Sequence, residues 1–421
     1  MKILHITTQK PHSTGSGIYL TELVKSFDKL GFFQGAVFGV YKDDDNCFPK
    51  STMTYPIYYS KDKEKADIPY KILGMSDQMP YPSTQYRNLN DEMLAQLKSA
   101  FIPKIKLAIA DIKPNLIICH HLFLLTSIIS LEFPNENIVG VCHGSDLRQM
   151  ELCNFHRDDI VNGINSLKKI FVLNSVQVKK VRSLFNITDS KIKIIGSGYN
   201  NSIFNSDGRV IKSPSDYIDI VYAGKISRAK GVLELKSALD LLDIPKDIKI
   251  RVFWAGGISD SSFMNHFDID FAKKNCNKNF DKYIFNYMGM LSQSELAELF
   301  KSSDIFILPS YYEGIPLVLI EAMASGMIPI STNPAGVKEW IDQSVPNHNV
   351  HFVNLPQMID VDMPLQSEIP DFVQRLKKEI ENTVTEIYKL RALNKNIDVP
   401  KELSTLSWDG VAKKIIDSKL C

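Results

Sequence analysis

The sequence predicts an α/β protein made of two successive doubly wound parallel sheets. Three observations predict it. Short Val/Ile/Leu-rich runs are continuous rather than alternating, helical patterns lie between them, and one polar segment divides the series in two. Continuous apolar runs mark strands covered on both faces, as in parallel sheets, and strand–helix alternation is the doubly wound pattern.

In chain order, the first series places strands at 3–7, 35–40, 116–119, 138–142, 170–173 and 192–195, with a helix at 18–30. The region 41–86 carries Pro49, Pro56, Pro69, Pro80 and Pro82, and no element is assigned there. Residues 205–216, with Gly208, Ser213, Pro214 and Ser215, have no apolar period and read as a linker. The second series places strands at 218–223, 248–255, 283–288, 305–308, 328–331 and 351–353, with helices at 232–242, 294–300 and 317–325. A charged helical stretch follows at 371–392, and 408–420 has the apolar spacing of a docking helix. The expected division is a Rossmann-like domain at 1–205, a linker at 206–216, a second Rossmann-like domain at 217–395, and a segment at 396–421 that docks back.

Composition removes several classes. The 421 residues are 44% hydrophobic and 23% charged, which excludes disorder and small disulfide scaffolds. Lysine plus arginine number 49 and aspartate plus glutamate 48, so charge gives no warrant for nucleic acid as partner. Six cysteines lack C-x-x-C or zinc-finger spacing and read as free thiols of a reducing compartment. The N-terminal apolar run is short and broken by His5, which favours a buried strand over a signal peptide. No run of 18 apolar residues occurs, so the expected location is cytoplasmic.

Parallel sheets bind ligands beyond the carboxyl ends of their strands, and two sheets facing across a cleft would line it with such loops. Four loops carry candidate chemistry. In 9–17, Gly15, Ser16 and Gly17 precede a helix that offers amides to a phosphate, though a two-glycine loop is also simply a loop. In Val141-Cys-His-Gly-Ser-Asp146, His143 could hydrogen-bond a sugar hydroxyl or act as a base, whereas the plain alternative is a helix cap. In 222–231, Lys225, Arg228 and Lys230 crowd a helix start, where cations oppose the dipole unless an anion joins them; otherwise they are a solvated basic turn. In 305–326, a buried strand leads to Glu313, Gly314, Ile315, Pro316 and Leu317, whose amides could face an anion, with Pro316 suited to the first helical position. Glu321 has apolar neighbours, so its carboxylate needs partners: ribose hydroxyls, or an internal salt bridge. His120 and His121 end a strand, where they could line a ligand site or merely pack.

Glu313 and Glu321 form E-x7-E in a strand–turn–helix unit, with Gly-Lys-(x4)-Lys-Gly upstream and Ala-Met-Ala-Ser-Gly downstream. This resembles glycosyltransferase family 4, densely over 218–341 and more thinly before. The resemblance implies the GT-B fold, retention of anomeric configuration and a nucleotide diphosphate sugar as donor, with no further cofactor. It implies that 1–205 faces the acceptor and 217–395 the donor. It implies that Glu313 holds sugar hydroxyls, Glu321 the ribose, and His143 the sugar near its 6-hydroxyl. Lys225 and Lys230 would neutralise the departing diphosphate, assisted by the amides at 314–317 and 15–17. Residues 287–291, including Met288, fall where the base is held. Lys225 replaces a usual arginine, which exchanges a bidentate fork for a point charge that Arg228 could supplement. Gly198-Tyr-Asn200 stands where Gly-Val-Asp is usual.

The expected reaction moves a hexose or N-acetylhexosamine to an acceptor selected by 41–86 and neighbouring loops. Asp-x-Asp occurs at 43/45, 268/270 and 360/362, about as often as chance gives among 31 aspartates, so no catalytic metal is expected. Alternatives are a nucleotide-sugar epimerase of the same fold and a degenerate member that binds sugar or a partner. A peripheral membrane contact has no basic amphipathic helix to support it.

Overall fold

The computed structural model describes residues 1–62, 65–76, 79–257, 277–279, 283–313, 315–360 and 362–418. The chain divides into two units, Met1–Gly198 with Trp408–Cys421, and Tyr199–Ser407. The chain therefore crosses between units at 198/199 and again at 407/408, not through 206–216 as expected.

Unit 1 contains β1 (Lys2–Thr7), β2 (Phe33–Val40), β3 (Met53–Tyr58), a short pair β4 (Leu73–Gly74) and β5 (Thr84–Gln85), β6 (Leu116–His120), β7 (Ile138–Val141), β8 (Lys169–Val172) and β9 (Ile192–Ile194). Its main sheet has the order β3-β2-β1-β6-β7-β8-β9, and every neighbouring pair is parallel. β6 and β7 are buried along their whole length, which accounts for their unbroken apolar runs. β3 lies in the proline-rich region to which no element was assigned. It pairs with β2 alone, with Pro56 opposite Phe38, and an edge strand tolerates a residue without an N–H.

The closing helix Trp408–Ile416 belongs to unit 1. Its Trp408, Val411, Ala412 and Ile415 share a core with Ile3, Leu23 and Phe27. Asp409 accepts from Ser26 Oγ at 2.7 Å and Lys29 Nζ at 2.5 Å on the helix Gly15–Lys29. The docking helix read from the apolar spacing is thus present, and these contacts hold it.

Unit 2 contains β10 (Ile218–Ala223), β11 (Ile250–Ala255), β12 (Asn277–Asn279), β13 (Ile284–Gly289), β14 (Ile305–Leu308), β15 (Ile328–Thr332) and β16 (His351–Val353), with a small hairpin of β17 (Met358–Asp360) and β18 (Met363–Pro364). The main order is β12-β13-β11-β10-β14-β15-β16; β12 is antiparallel to β13 and the remaining pairs are parallel. Strand order reverses between β10 and β14. A crevice opens at such a reversal because the following helices leave toward opposite faces.

The segment expected to be a linker is part of this unit. Arg209 Nη1 donates to the carbonyls of Lys301 at 2.9 Å and Ser325 at 3.2 Å. Lys212 Nζ reaches Asp219 at 2.7 Å and Asp304 at 3.1 Å, and Arg391 Nη2 reaches Asp304 at 2.8 Å. Asp219 and Asp304 are buried, so these cations supply partners that buried carboxylates require. A polar segment without apolar period can be fixed by charge instead of by packing.

Beside the crevice, the helix Gln293–Ser302 opens on a capping box: Ser292 Oγ accepts from Glu295 N, and Glu295 Oε2 accepts from Ser292 N at 2.8 Å. Ser292→Ala is expected to lower the stability of unit 2 by about 1 kcal/mol in urea unfolding. Among the described residues, no helix is long and apolar enough to cross a membrane.

Candidate functional site

A cavity of about 630 Å³ occupies the crevice of unit 2, a size that suits a small-molecule ligand. Its floor comes from the chain just beyond two neighbouring strands, Gly224-Lys225 after β10 and Gly256-Gly257 after β11; its walls include Leu291, Leu296, Val318 and Glu321. Gly256 has φ +148°, and a Cβ there would meet Gly224 O at 1.8 Å. Only glycine lets the two strand ends approach so closely. Lys225 is exposed at the rim, and its carbonyl accepts the Tyr222 hydroxyl at 2.8 Å, which pins the loop.

Glu321 lies in the second turn of the helix Leu317–Ala324 and is half-buried. Burial alone pushes its carboxyl up to about 7. Its side chain lines the cavity; the internal salt bridge that sequence left open is not found among the described residues. Glu313 is different. Its Oε1 accepts from Lys230 Nζ at 2.7 Å, with the side chains 14% and 27% exposed. Lys230 ends a 3-10 turn with Arg228, just before the helix Val232–Asp240. Neither Lys230 nor Glu313 is part of the cavity lining; the two are paired with each other, and an anion reaching the lysine would compete with the carboxylate for it. Arg228 is exposed on the same turn and is not part of the cavity lining.

Several expected contacts are corrected. Met288 lies on β13, 40% exposed, and does not line the cavity; Met290 and Leu291, past the strand end, do. A strand alternates its side chains, so a two-residue shift keeps the face while moving the contact beyond the sheet. Pro316 is the N-cap of its helix instead of its first residue. The Leu317 amide already donates to Ile315 O at 3.0 Å, so it is not an open donor for an anion. Ile315 is half-buried, and Gly314 lies outside the described residues, as do Asp268 and Asp270.

In unit 1, the glycine loop is shorter than expected because the helix already begins at Gly15. Thr14 is its N-cap and accepts from Gly17 N at 3.1 Å, so that amide is engaged, leaving those of Gly15 and Ser16 in the first turn. Ser16 Oγ donates to Gln9 Oε1 at 3.3 Å. Gly17 has a packing reason as well, since a Cβ would stand 2.8 Å from His12 N.

His143 follows β7 and is half-buried. Its backbone N–H donates to the buried Asp146 carboxylate at 3.2 Å, which ties the turn down. A helix starts at Ser145 as the plain alternative held, although its N-cap is Gly144 and has no side-chain cap. The His143 ring takes no part in the bond to Asp146. It lies edge-on to Tyr19 at 5.1 Å, 4.8 Å from the His121 ring, and 3.2 Å from His120 Nδ1 through its Nε2. Burial, then the neighbouring His121 and His120 rings, hold it well below the usual imidazole range. The sequence reading missed Gly256, Gly257, Leu296 and Val318; the Gly-Gly step directly after a buried strand was a signal for the first two.

Comparison with known proteins bears on both units. Residues 205–355 match the family model described as Glycosyl transferases group 1. An uncharacterized glycosyltransferase of Methanocaldococcus jannaschii is 24% identical over 199 residues, 45% of this chain and 48% of that protein. A UDP-Gal:alpha-D-GlcNAc-diphosphoundecaprenol alpha-1,3-galactosyltransferase of Escherichia coli is 26% identical over 175 residues, 41% of this chain and 38% of the other. The chain thus spans about half or less of the length of these curated relatives. Sucrose-phosphate synthase from Thermosynechococcus elongatus aligns with a TM-score of 0.62 at 16% identity, covering 99% of this chain and 97% of that one. The Anabaena HepE structure in complex with UDP and glucose aligns with a TM-score of 0.58 at 14% identity, covering 99% of both chains. The chain has the GT-B fold, and its residues 205–355 carry the signature of the group 1 glycosyltransferases.

Proposed function

We propose that the protein is a retaining glycosyltransferase of family 4, which moves a hexose or N-acetylhexosamine from a nucleotide diphosphate sugar to an acceptor without a catalytic metal. One observation carries the reading. The cavity at the strand reversal of unit 2 brings a cation, Lys225, and a carboxylate with no ion-pair partner among the described residues, Glu321, into one apolar pocket. Apolar walls suit a base, Glu321 suits ribose hydroxyls, and Lys225 with Lys230 suits a diphosphate. The Escherichia coli relative's name specifies UDP-Gal and the Anabaena structure holds UDP and glucose, which favours a uridine diphosphate donor.

In the proposed reaction, the bond from the anomeric carbon to diphosphate oxygen breaks as acceptor oxygen attacks from the same face. The acceptor proton passes to the departing diphosphate oxygen. Lys225 and Lys230 stabilise the charge that develops on the leaving group, which is most effective when the donors are already in place. The Lys230–Glu313 pair holds the two side chains against each other beforehand. Once the diphosphate takes the lysine, Glu313 is released to accept sugar hydroxyls. His143 is assigned to the sugar.

A thermal-shift panel of nucleoside diphosphates and their sugars tests the binding claim: stabilisation by one diphosphate and its sugar is expected, and no shift with any of them would remove the reading. Lys230→Ala is expected to lower kcat by about a hundredfold while weakening nucleoside diphosphate binding less than tenfold. Equal losses would show that Lys230 only binds. Turnover unaffected by EDTA is the expected result for transfer without a metal.

A further inference from the structure

The histidines of unit 1 are more numerous than sugar recognition needs. Parallel pairing places His120, the last residue of β6, opposite Val141, the last of β7. Two strand ends thus present His120 and His143 side by side. Their rings stack at 5.5 Å with an interplanar angle of 18°, and His120 Nδ1 is 3.2 Å from His143 Nε2. His5 on β1 also stacks with His120, with ring centroids 5.9 Å apart.

We propose that His120 positions His143: it donates from Nδ1 to Nε2 of His143 and so fixes the His143 proton on Nδ1. Burial, with neighbouring rings adding to it, keeps both imidazoles well below their usual range, so the contact is between two neutral rings sharing one proton. Its direction follows from the far side of His120. His120 Nε2 is buried with no partner among the described residues. A proton there would add a second buried N–H without an acceptor to the one that His121 already carries, neither of whose ring nitrogens has a partner among the described residues. Each such N–H is costly. With the proton on Nδ1 the orphan is a bare nitrogen, and the N–H is used.

The neighbouring ring shows that the cluster accommodates such a bare nitrogen. Gln34 Nε2 donates to Val24 O at 2.9 Å, so its Oε1 faces His5 Nε2 at 3.1 Å and must accept from it. His5 therefore carries its proton on Nε2, and its Nδ1 is the buried atom without a partner among the described residues.

The consequence decides between two roles that the sequence left open. With Nε2 occupied by His120, the nitrogen that His143 can offer a ligand is Nδ1, and it carries a proton. His143 is then a donor to a substrate oxygen, not a base. This consequence, though not the geometry, rests on the proposed glycosyl transfer.

The test reads the tautomer directly, in the free full-length protein, by side-chain ¹⁵N NMR of labelled histidine, with His143 assigned by its loss in His143→Ala. The expected wild-type signal is Nδ1–H. His120→Phe keeps the ring stack but removes the donor, and should shift His143 toward Nε2–H and lower kcat/KM about tenfold, the value of one hydrogen bond. His120→Asn places an amide donor near the lost Nδ1 and should restore both. Wild-type His143 on Nε2–H, or a tautomer unmoved in His120→Phe, would overturn the positioning role. A tautomer that shifts while no nucleotide sugar is turned over would support positioning and overturn the glycosyl-transfer reading. If His120→Phe does not fold, the wild-type tautomer and the His120→Asn variant still decide.

Discussion

Between pH 7 and pH 5, unit 1 is expected to lose several kcal/mol of stability and unit 2 much less. The cause is the row of buried histidines. Burial holds His5 at about 4, against an ordinary 6.5, despite its bond to Gln34. Burial also lowers His121, with Asp146 opposing; His120 and His143 are lowered further by their neighbours' rings. The unfolded chain takes up these protons as pH falls through 6.5, whereas the folded chain does not until well below. Protons bound preferentially by the unfolded state reduce stability as pH falls. For His5 alone the loss is about 2 kcal/mol by pH 5 and about 3 kcal/mol by pH 4. The other three rings add in the same direction.

One histidine acts oppositely. His156 is raised by its bonds to Asp91 and Asp159, so its contribution is present below 6.5 and lost as pH rises through its folded value. It is only half-buried and both its partners are exposed, so solvent screening keeps its gain small. At about 2–4 °C per kcal/mol for a unit of this size, thermal unfolding of unit 1 should shift by at least about 6 °C. Hydrogen exchange in peptides from β1, β6 and β7 would locate the loss. An unchanged transition would mean that the rings already carry protons in the folded state.

These histidines also show how far sequence carries. His143 and His120 could each be placed at a strand end, because continuous apolar runs locate parallel strands within a residue or two. β10, β14 and β16 match their expected bounds, since strands covered on both faces have little polar content to blur them. What sequence could not supply was pairing. That β6 lies beside β7, so that His120 meets His143, is a fact of sheet order. The same holds for Glu313 with Lys230, which are separated by 83 residues. Motif spacing showed both as polar groups in ligand loops, but not that each is the other's partner. Residues 206–216 failed for a different reason. Apolar period is blind to a segment fixed by Arg209 and Lys212 on carbonyls and carboxylates. Amide availability was equally hidden, because whether Gly17 or Leu317 is free depends on Thr14 and Ile315 turning back on them.

Glu321→Gln should stabilise unit 2 while weakening nucleotide binding, and the opposed signs are the point. Burial raises the Glu321 carboxyl to about 7, so the folded state binds a proton that the unfolded state has released. The resulting cost appears above the unfolded value of about 4.5, grows with pH, and levels off past 7; at pH 7 it is about 3 kcal/mol. Glutamine keeps the shape and removes the charge, although its amide then needs an acceptor, which offsets part of the gain. A net gain of about 1–3 kcal/mol at pH 7.5, shrinking to less than about 1 kcal/mol at pH 5, is expected from urea unfolding of the two proteins at both values. Affinity for the nucleoside diphosphate should meanwhile fall about tenfold to a hundredfold by calorimetry, since ribose hydroxyls that donate to a carboxylate make charged hydrogen bonds. A side chain that costs stability in the free protein and returns it only to a ligand is held for that ligand. A destabilised variant would show that Glu321 has a partner within the fold. A stabilised variant with unaltered affinity would remove the ribose from Glu321 and leave the cavity's polar contact to Lys225.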